Sequence, residues 1–214
     1  MIRVRKSGQV PQSLIKDGKA YNGDDVYRQL LADQDEKCYI CERKTETDYV
    51  IEHLRGQNKY PQLARDWQNL HLACSYCNDK KGERHEDILS PTAVDIEDEI
   101  EQRVDIGAKK ALFSATVSDK EHEETVELLN LVFNGKGGMR KLREERFFNY
   151  FLSEINAFID LLSRYTMDET EELEKAVVQE IDIRGEFLGF KYWIVKSNPT
   201  LGEKFAALMR WNKE

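Results

Sequence analysis

The sequence predicts an α+β chain, mostly α, in which a small cysteine-framed unit precedes a long helical region. Three observations predict this. All four cysteines of the 214 residues fall in two CxxC pairs, Cys38-x-x-Cys41 and Cys74-x-x-Cys77. Apolar residues recur at three- and four-residue steps through most of the chain beyond residue 120. The charge is uneven: residues 1–37 and 38–85 each carry a formal +1, residues 86–214 carry −10, and the net charge is −8. A composition of 40% hydrophobic and 34% charged residues, with 4 Pro and 12 Gly, excludes a collagen-like, low-complexity or wholly disordered chain. The net charge argues against a uniformly basic nucleic-acid coat protein. A local nucleic-acid site stays open, because a ligand meets the local field.

The elements follow in chain order. Residues 2–5 suit a short strand. Asp24 to Ala32 suits a helix, with Asp24 or Asp25 available as its cap and Val26, Leu30 and Leu31 at helical spacing. Residues 1–37 make an N-terminal segment from these two. The run Tyr49-Val-Ile is strand-like. Ser90-Pro91 marks a boundary after the compact unit, taken as residues 38–88. Residues 122–133 carry apolar side chains at 126, 128, 129, 132 and 133. The strongest helix, residues 139–165, places Leu142, Phe147, Phe151, Ile155, Phe158, Leu161 and Leu162 on one face. Residues 168–183 form another helix whose acidic start suits the helix dipole. Leu201 to Trp211 is a last short one. Asn134-Gly-Lys-Gly-Gly138 lacks the spacing of a phosphate loop and reads as a turn into the long helix. Met1-Ile-Arg-Val-Arg-Lys6 lacks the apolar stretch of a signal peptide, and no window approaches the ~18 apolar residues of a membrane span. A cytoplasmic protein with no membrane partner is expected.

Two CxxC knuckles supply four thiolates, the tetrahedral donor set of a closed, structural zinc site at Cys38, Cys41, Cys74 and Cys77. A redox motif needs one pair beside a strand–helix start, and two disulfides are out of place in a cytosolic chain. The 32 residues between the pairs exceed the roughly 15–20 of a simple ribbon. The metal therefore ties the two ends of an inserted element. That insert reads Tyr49-Val-Ile-Glu-His-Leu54, then Trp67-Gln-Asn-Leu-His-Leu-Ala-Cys74, then Ser75-Tyr-Cys-Asn-Asp-Lys-Lys81.

In this order of CxxC, acid-His, Asn-Leu, CxxC-Asn and lysines, residues 38–82 resemble the HNH endonucleases braced by two CxxC pairs. The resemblance implies a ββα-metal nuclease core and hydrolysis of phosphodiester bonds. It makes His53 the general base and Asn69 the brace of the loop that orients it. Glu52 and Asn78 would hold one Mg²⁺ or Mn²⁺, and Lys80 and Lys81 would meet the phosphate backbone. Glu52 stands where the family often has Asp, and Asn78 where it often has His. Oxygen donors at both positions suit a hard cation and weaken affinity for softer metals. His71 is expected to be packed or a supporting partner, and His85 solvated or an extra ligand.

Residues 89–214, acidic and helical, are expected to dock a partner, self-associate or buttress the nuclease. They are poor candidates for nucleic-acid backbone contact. The layout, with Leu128-Leu-Asn-Leu131 and Leu142-Arg-Glu-Glu-Arg146 behind an early HNH motif, also resembles the HNH-subunit family of Septu anti-phage systems, found in some retron systems too. That resemblance implies a bacterial effector nuclease working with an ATPase subunit, PtuA, on DNA or on RNA such as tRNA. A stand-alone HNH restriction or repair nuclease, and a zinc module that binds nucleic acid or protein without cutting, remain open alternatives.

Overall fold

The computed structural model describes residues 1–16 and 20–211. Helices hold 49% of the described residues and strands 12%, so the class is α+β weighted toward helix. In chain order the elements are α1 Gln12–Ile15, α2 Asp24–Asp33, β1 Tyr49–His53, β2 Leu70–Cys74, α3 Ser75–Lys81, α4 Ile96–Glu99, β3 Ile100–Asp105, β4 Lys110–Ala115, α5 Lys120–Asn134, α6 Leu142–Met167, α7 Glu171–Glu180, α8 Leu188–Lys196 and α9 Pro199–Phe205. No helix among the described residues is long and apolar enough to cross a membrane.

β1 and β2 form an antiparallel hairpin in the register Tyr49↔Cys74 to His53↔Leu70. Their connection, residues 54–69, holds two single 3₁₀ turns, Pro61–Leu63 and Trp67–Asn69. α3 starts immediately after Cys74 and packs across both strands. The result is a ββα unit. The first knuckle closes on itself through Glu42 N to Cys38 O (2.8 Å) and Cys38 N to Arg43 O (3.1 Å), with Glu42 in the left-handed region at φ 61°. Tyr39 N donates to Leu72 O (3.0 Å), which fastens the knuckle to β2.

The long helix expected at residues 139–165 is α6. It begins at Leu142 because Gly137 and Gly138, at φ 64° and 76°, hold the chain in a conformation that ends the preceding turn. Its buried stripe of Phe147, Phe151, Ile155, Phe158 and Leu162 follows the helical period. At 26 residues it is about 39 Å long. One apolar core joins its first half to the hairpin, α3, α5 and the β3–β4 pair. A second joins its last half to α7, α8 and α9.

Several elements differ from the expectations. Residues 2–5 join no ladder; Val4 N donates to Pro91 O (2.7 Å). The cap of α2 is Gly23, and Asp25 instead accepts from Ser13 N (2.9 Å) and Ser13 Oγ (2.5 Å), tying α1 to α2. β3 and β4 form an antiparallel hairpin inside the region read as helical. Inward Ile100 and Gln102 alternate there with the more exposed Glu101 and Arg103, and the polar Gln102 at an inward position masks the strand pattern. Gln102 packs against Gly189, where a Cβ would lie 2.5 Å from its Oε1. α8 went unread because Leu188, Phe190, Lys191 and Val195 are all buried, which leaves little polar face to mark a period. The final helix stops at Phe205, short of the expected Trp211.

Candidate active site and metal centre

The four cysteine Sγ atoms are buried and lie within 4.8 Å of one another. Cys41 and Cys74 are 3.9 Å apart, and all four thiols are free. A tetrahedral thiolate site with metal–sulfur bonds of about 2.3 Å has S···S edges of about 3.8 Å, whereas a disulfide needs about 2.05 Å. The cluster therefore fits zinc. Burial pushes the Cys41 and Cys77 thiols up, while hydrogen bonds from Cys38, Cys41 and Cys77 pull Cys74 down. Only a bound cation lets all four carry charge together. Among the described residues no other cluster of three or more His, Cys, Asp or Glu donors occurs.

His53 ends β1, next to the frame. Its Nε2 lies 2.9 Å from Ala64 O. A carbonyl only accepts, so Nε2 carries the proton and Nδ1 holds the lone pair. Gln57 Nε2 is 3.2 Å from that Nδ1, and the Tyr21 ring meets the imidazole edge-on at 4.5 Å. Burial pulls the His53 pKa below 6.5, with the Ala64 bond opposing, so the ring is neutral near pH 7. A neutral imidazole with an oriented lone pair is what a general base requires.

The loop that presents Ala64 is held by Asn69. Its Oδ1 accepts from Arg55 N (2.7 Å), and its Nδ2 donates to Arg55 O and Leu63 O (both 3.0 Å). Asn69 thus fixes the residue beside Ala64 and the chain two residues past His53.

Two comparisons bear on this arrangement. Residues 38–84 match the HNH endonuclease family model. The match falls on the cysteine-framed unit that carries His53, Asn69 and the ββα arrangement. The chain is also 30% identical over 96 residues to Septu protein PtuB of Bacillus thuringiensis. That alignment covers 42% of this chain and 37% of the relative's length.

Within the matched residues, Glu52 is buried, with 8% of its surface exposed. Its Oε1 accepts from Lys81 Nζ (2.8 Å) and its Oε2 from Tyr39 OH (2.7 Å). Burial pushes its carboxyl above the usual range and Lys81 opposes that. Asn78 is half-buried on α3, and among the described residues its side-chain amide has no hydrogen-bond partner. Both side chains offer hard oxygen donors of the type a divalent cation takes, and each Glu52 oxygen already accepts one hydrogen bond.

The lysines sit differently from the expectation of two backbone-facing amines. Lys81 is 1% exposed and donates to Glu52 Oε1 and to His53 O (2.9 Å). The reason is helical geometry: Lys81 is four residues after Cys77 and follows it into the interior. Lys80 is ion-paired with Glu144 at the start of α6.

His71, paired across the hairpin with Glu52, is fully buried and stacked on Tyr39 at 4.7 Å. Neither ring nitrogen makes a hydrogen bond of normal geometry, and burial drives its pKa well below 6.5, opposed by the Gln68 backbone. His85, expected in solvent or as an extra ligand, is 5% exposed with its Nδ1 unpaired.

Sequence reasoning missed Tyr39, Tyr21, Gln57 and Lys6. Tyr39 lies inside the first CxxC, where its position was a usable signal; nothing in the sequence marks the others. Lys6 crosses from the N-terminal segment to donate to Trp67 O and Leu70 O, with its amine 4.4 Å from the Trp67 ring centroid. Burial draws its pKa down to about 7.

Proposed function

We propose that this chain is a metal-dependent HNH endonuclease that hydrolyses phosphodiester bonds, and that it is the effector of a bacterial Septu-type anti-phage complex with an ATPase subunit such as PtuA, acting in the cytoplasm on DNA or RNA. The observation that carries the nuclease reading is His53, neutral and aimed by Ala64 O, on an HNH hairpin anchored by four cysteines. The similarity to Septu protein PtuB supports the defence assignment.

In this reading His53 Nδ1 takes a proton from water once the Gln57 amide turns aside. The water oxygen then bonds to phosphorus as the ester P–O bond breaks. Asn69 holds the loop and, through it, the direction of the imidazole. Glu52 and Asn78 would hold Mg²⁺ or Mn²⁺, which supplies charge neutralisation for the phosphorane-like transition state and the leaving oxygen. Cys38, Cys41, Cys74 and Cys77 would hold a structural zinc.

The test incubates the full chain, alone and with its ATPase partner, with plasmid DNA or tRNA in Mg²⁺ or Mn²⁺. Wild type is expected to cut, and His53→Ala to lose about 10²–10⁴-fold in rate at unchanged zinc content. Cleavage by His53→Ala near the wild-type rate, or no cleavage by wild type under any of these conditions, overturns the reading.

A further inference from the structure

The acidic region after residue 86 is not acidic throughout. Residues 136–146 hold five basic side chains against two acidic ones. Both acids are engaged: Glu144 is 5% exposed and ion-paired with Lys80, and the half-exposed Glu145 pairs with Arg140, whose guanidinium sits 3.8 Å from the Phe148 ring centroid. Arg143 and Arg146, three residues apart on one face of α6, are exposed.

That face borders α3. Arg143 Nη1 reaches Asp79 Oδ2 (2.9 Å) and its Nη2 donates to Ser75 Oγ (3.1 Å), on either side of Asn78 in the sequence. Arg146 has no partner among the described residues. With Arg43 from the first knuckle they line a groove of about 390 Å³ floored by Tyr76 and Phe147, whose rings stack at 4.8 Å. The Arg43 guanidinium sits 5.7 Å from the Phe147 ring centroid, and its buried Nε has no hydrogen-bond partner. Asp48 is the one carboxylate among the lining residues.

Resting on the nuclease reading above, we propose that this arginine groove binds the sugar-phosphate backbone of the nucleic-acid substrate along the flank of α3. Convergent guanidinium groups match phosphate oxygens in a fork geometry that lysine lacks. The groove lies beside α3, the helix that carries Asn78, and takes Tyr76 of that helix into its lining. It also supplies the phosphate contacts that Lys80 and Lys81, engaged inside the protein, do not make.

The test uses the full chain in a His53→Ala background and fluorescence anisotropy with a fluorescein-labelled DNA duplex and a labelled RNA hairpin. Arg143→Ala/Arg146→Ala is expected to weaken binding of at least one probe about tenfold or more. On duplex DNA the slope of log K against log salt should fall by roughly two, about 0.9 per phosphate contact removed. Thermal melting should stay close to that of the parent, because the Arg143–Asp79 pair is exposed and such pairs contribute little. Arg146→Glu in the same background should weaken binding further than Arg146→Ala. Unchanged affinity for both probes, or weaker binding with an unchanged salt slope, overturns the groove. So does retained nucleic-acid binding with loss of the co-purifying ATPase, which marks a protein-docking face. If wild type cuts and the arginine variants bind normally, only the groove falls; if wild type neither binds nor cuts, the nuclease reading falls with it.

Discussion

Replacing Lys81 by methionine removes the cation from a carboxylate that has almost no access to water. Lys81 and Glu52 are 1% and 8% exposed, and their ion pair is 2.8 Å long. Breaking a buried pair by deleting one partner costs about 3–5 kcal/mol, because the remaining charge stays desolvated. For a chain of this size that is a fall in melting temperature of roughly 6–20 °C, at about 2–4 °C per kcal/mol. Glu52→Gln alone strands the Lys81 ammonium and should cost a similar amount. Lys81→Met/Glu52→Gln should cost little more than either single change, so the double-mutant cycle should return a coupling of about 3 kcal/mol. Differential scanning calorimetry at fixed pH, with zinc content measured on each sample, reads the cycle. A coupling below about 0.5 kcal/mol, the usual additivity error, would show that the two charges do not depend on each other and refute the reasoning.

Further outcomes follow from the same geometry. Cys74→Ser, or chelation of the metal, should remove hydrogen-exchange protection from residues 38–81 as well as activity, since structural zinc contributes about 10–16 kcal/mol, as much as a whole domain's stability. Lost activity at an unchanged melting curve would count against a structural metal. Asn69→Ala leaves the Arg55 amide without its acceptor and the Arg55 and Leu63 carbonyls without its donors. About 2–4 kcal/mol of stability should be lost by urea titration, and cleavage should slow as the loop holding Ala64 loosens; wild-type kinetics would remove Asn69 from any positioning role. His71 stays neutral in the fold while its unfolded counterpart titrates near 6.5, so the unfolded chain binds the extra proton and stability falls as pH drops below that value. The slope from His71 alone is at most about 1.4 kcal/mol per pH unit. His71→Phe should flatten melting temperature against pH between 6.5 and 5; an unaltered slope would place the loss elsewhere, with His53 and His85, which burial also pulls down, the first to examine.

The cysteine frame was legible because metal ligands announce themselves by type and spacing, and the Sγ cluster joins the four residues the pattern picked. Glu52-His53, Asn69 and Asn78 were legible as candidates for the same reason, being short motifs at fixed distances from the cysteines. α5 and α6 were legible because each buries one stripe and exposes the rest, and α7 because of its acidic first turn. β3, β4 and α8 were not, because Gln102 interrupts an alternation and α8 is covered on most sides. Lys81, which the resemblance sends to the phosphate backbone, is buried. Its step of four from Cys77 pointed inward, but the acceptors that make burial tolerable, Glu52 and His53 O, lie 29 and 28 residues away in the chain.

By itself, then, the sequence determined which chemistry the chain holds: a soft four-sulfur site, a histidine beside an acid, hard oxygen donors, and helices of set period. These are properties of side-chain type and local spacing, which survive without knowledge of what packs against what. Tertiary structure decided how each group is used. It set the His53 tautomer through Ala64 O, the neutralisation of Glu52 by Lys81, and the meeting of Arg143 with Ser75 across 68 residues. Those outcomes depend on desolvation and on partners distant in sequence, and both exist only once the chain has folded.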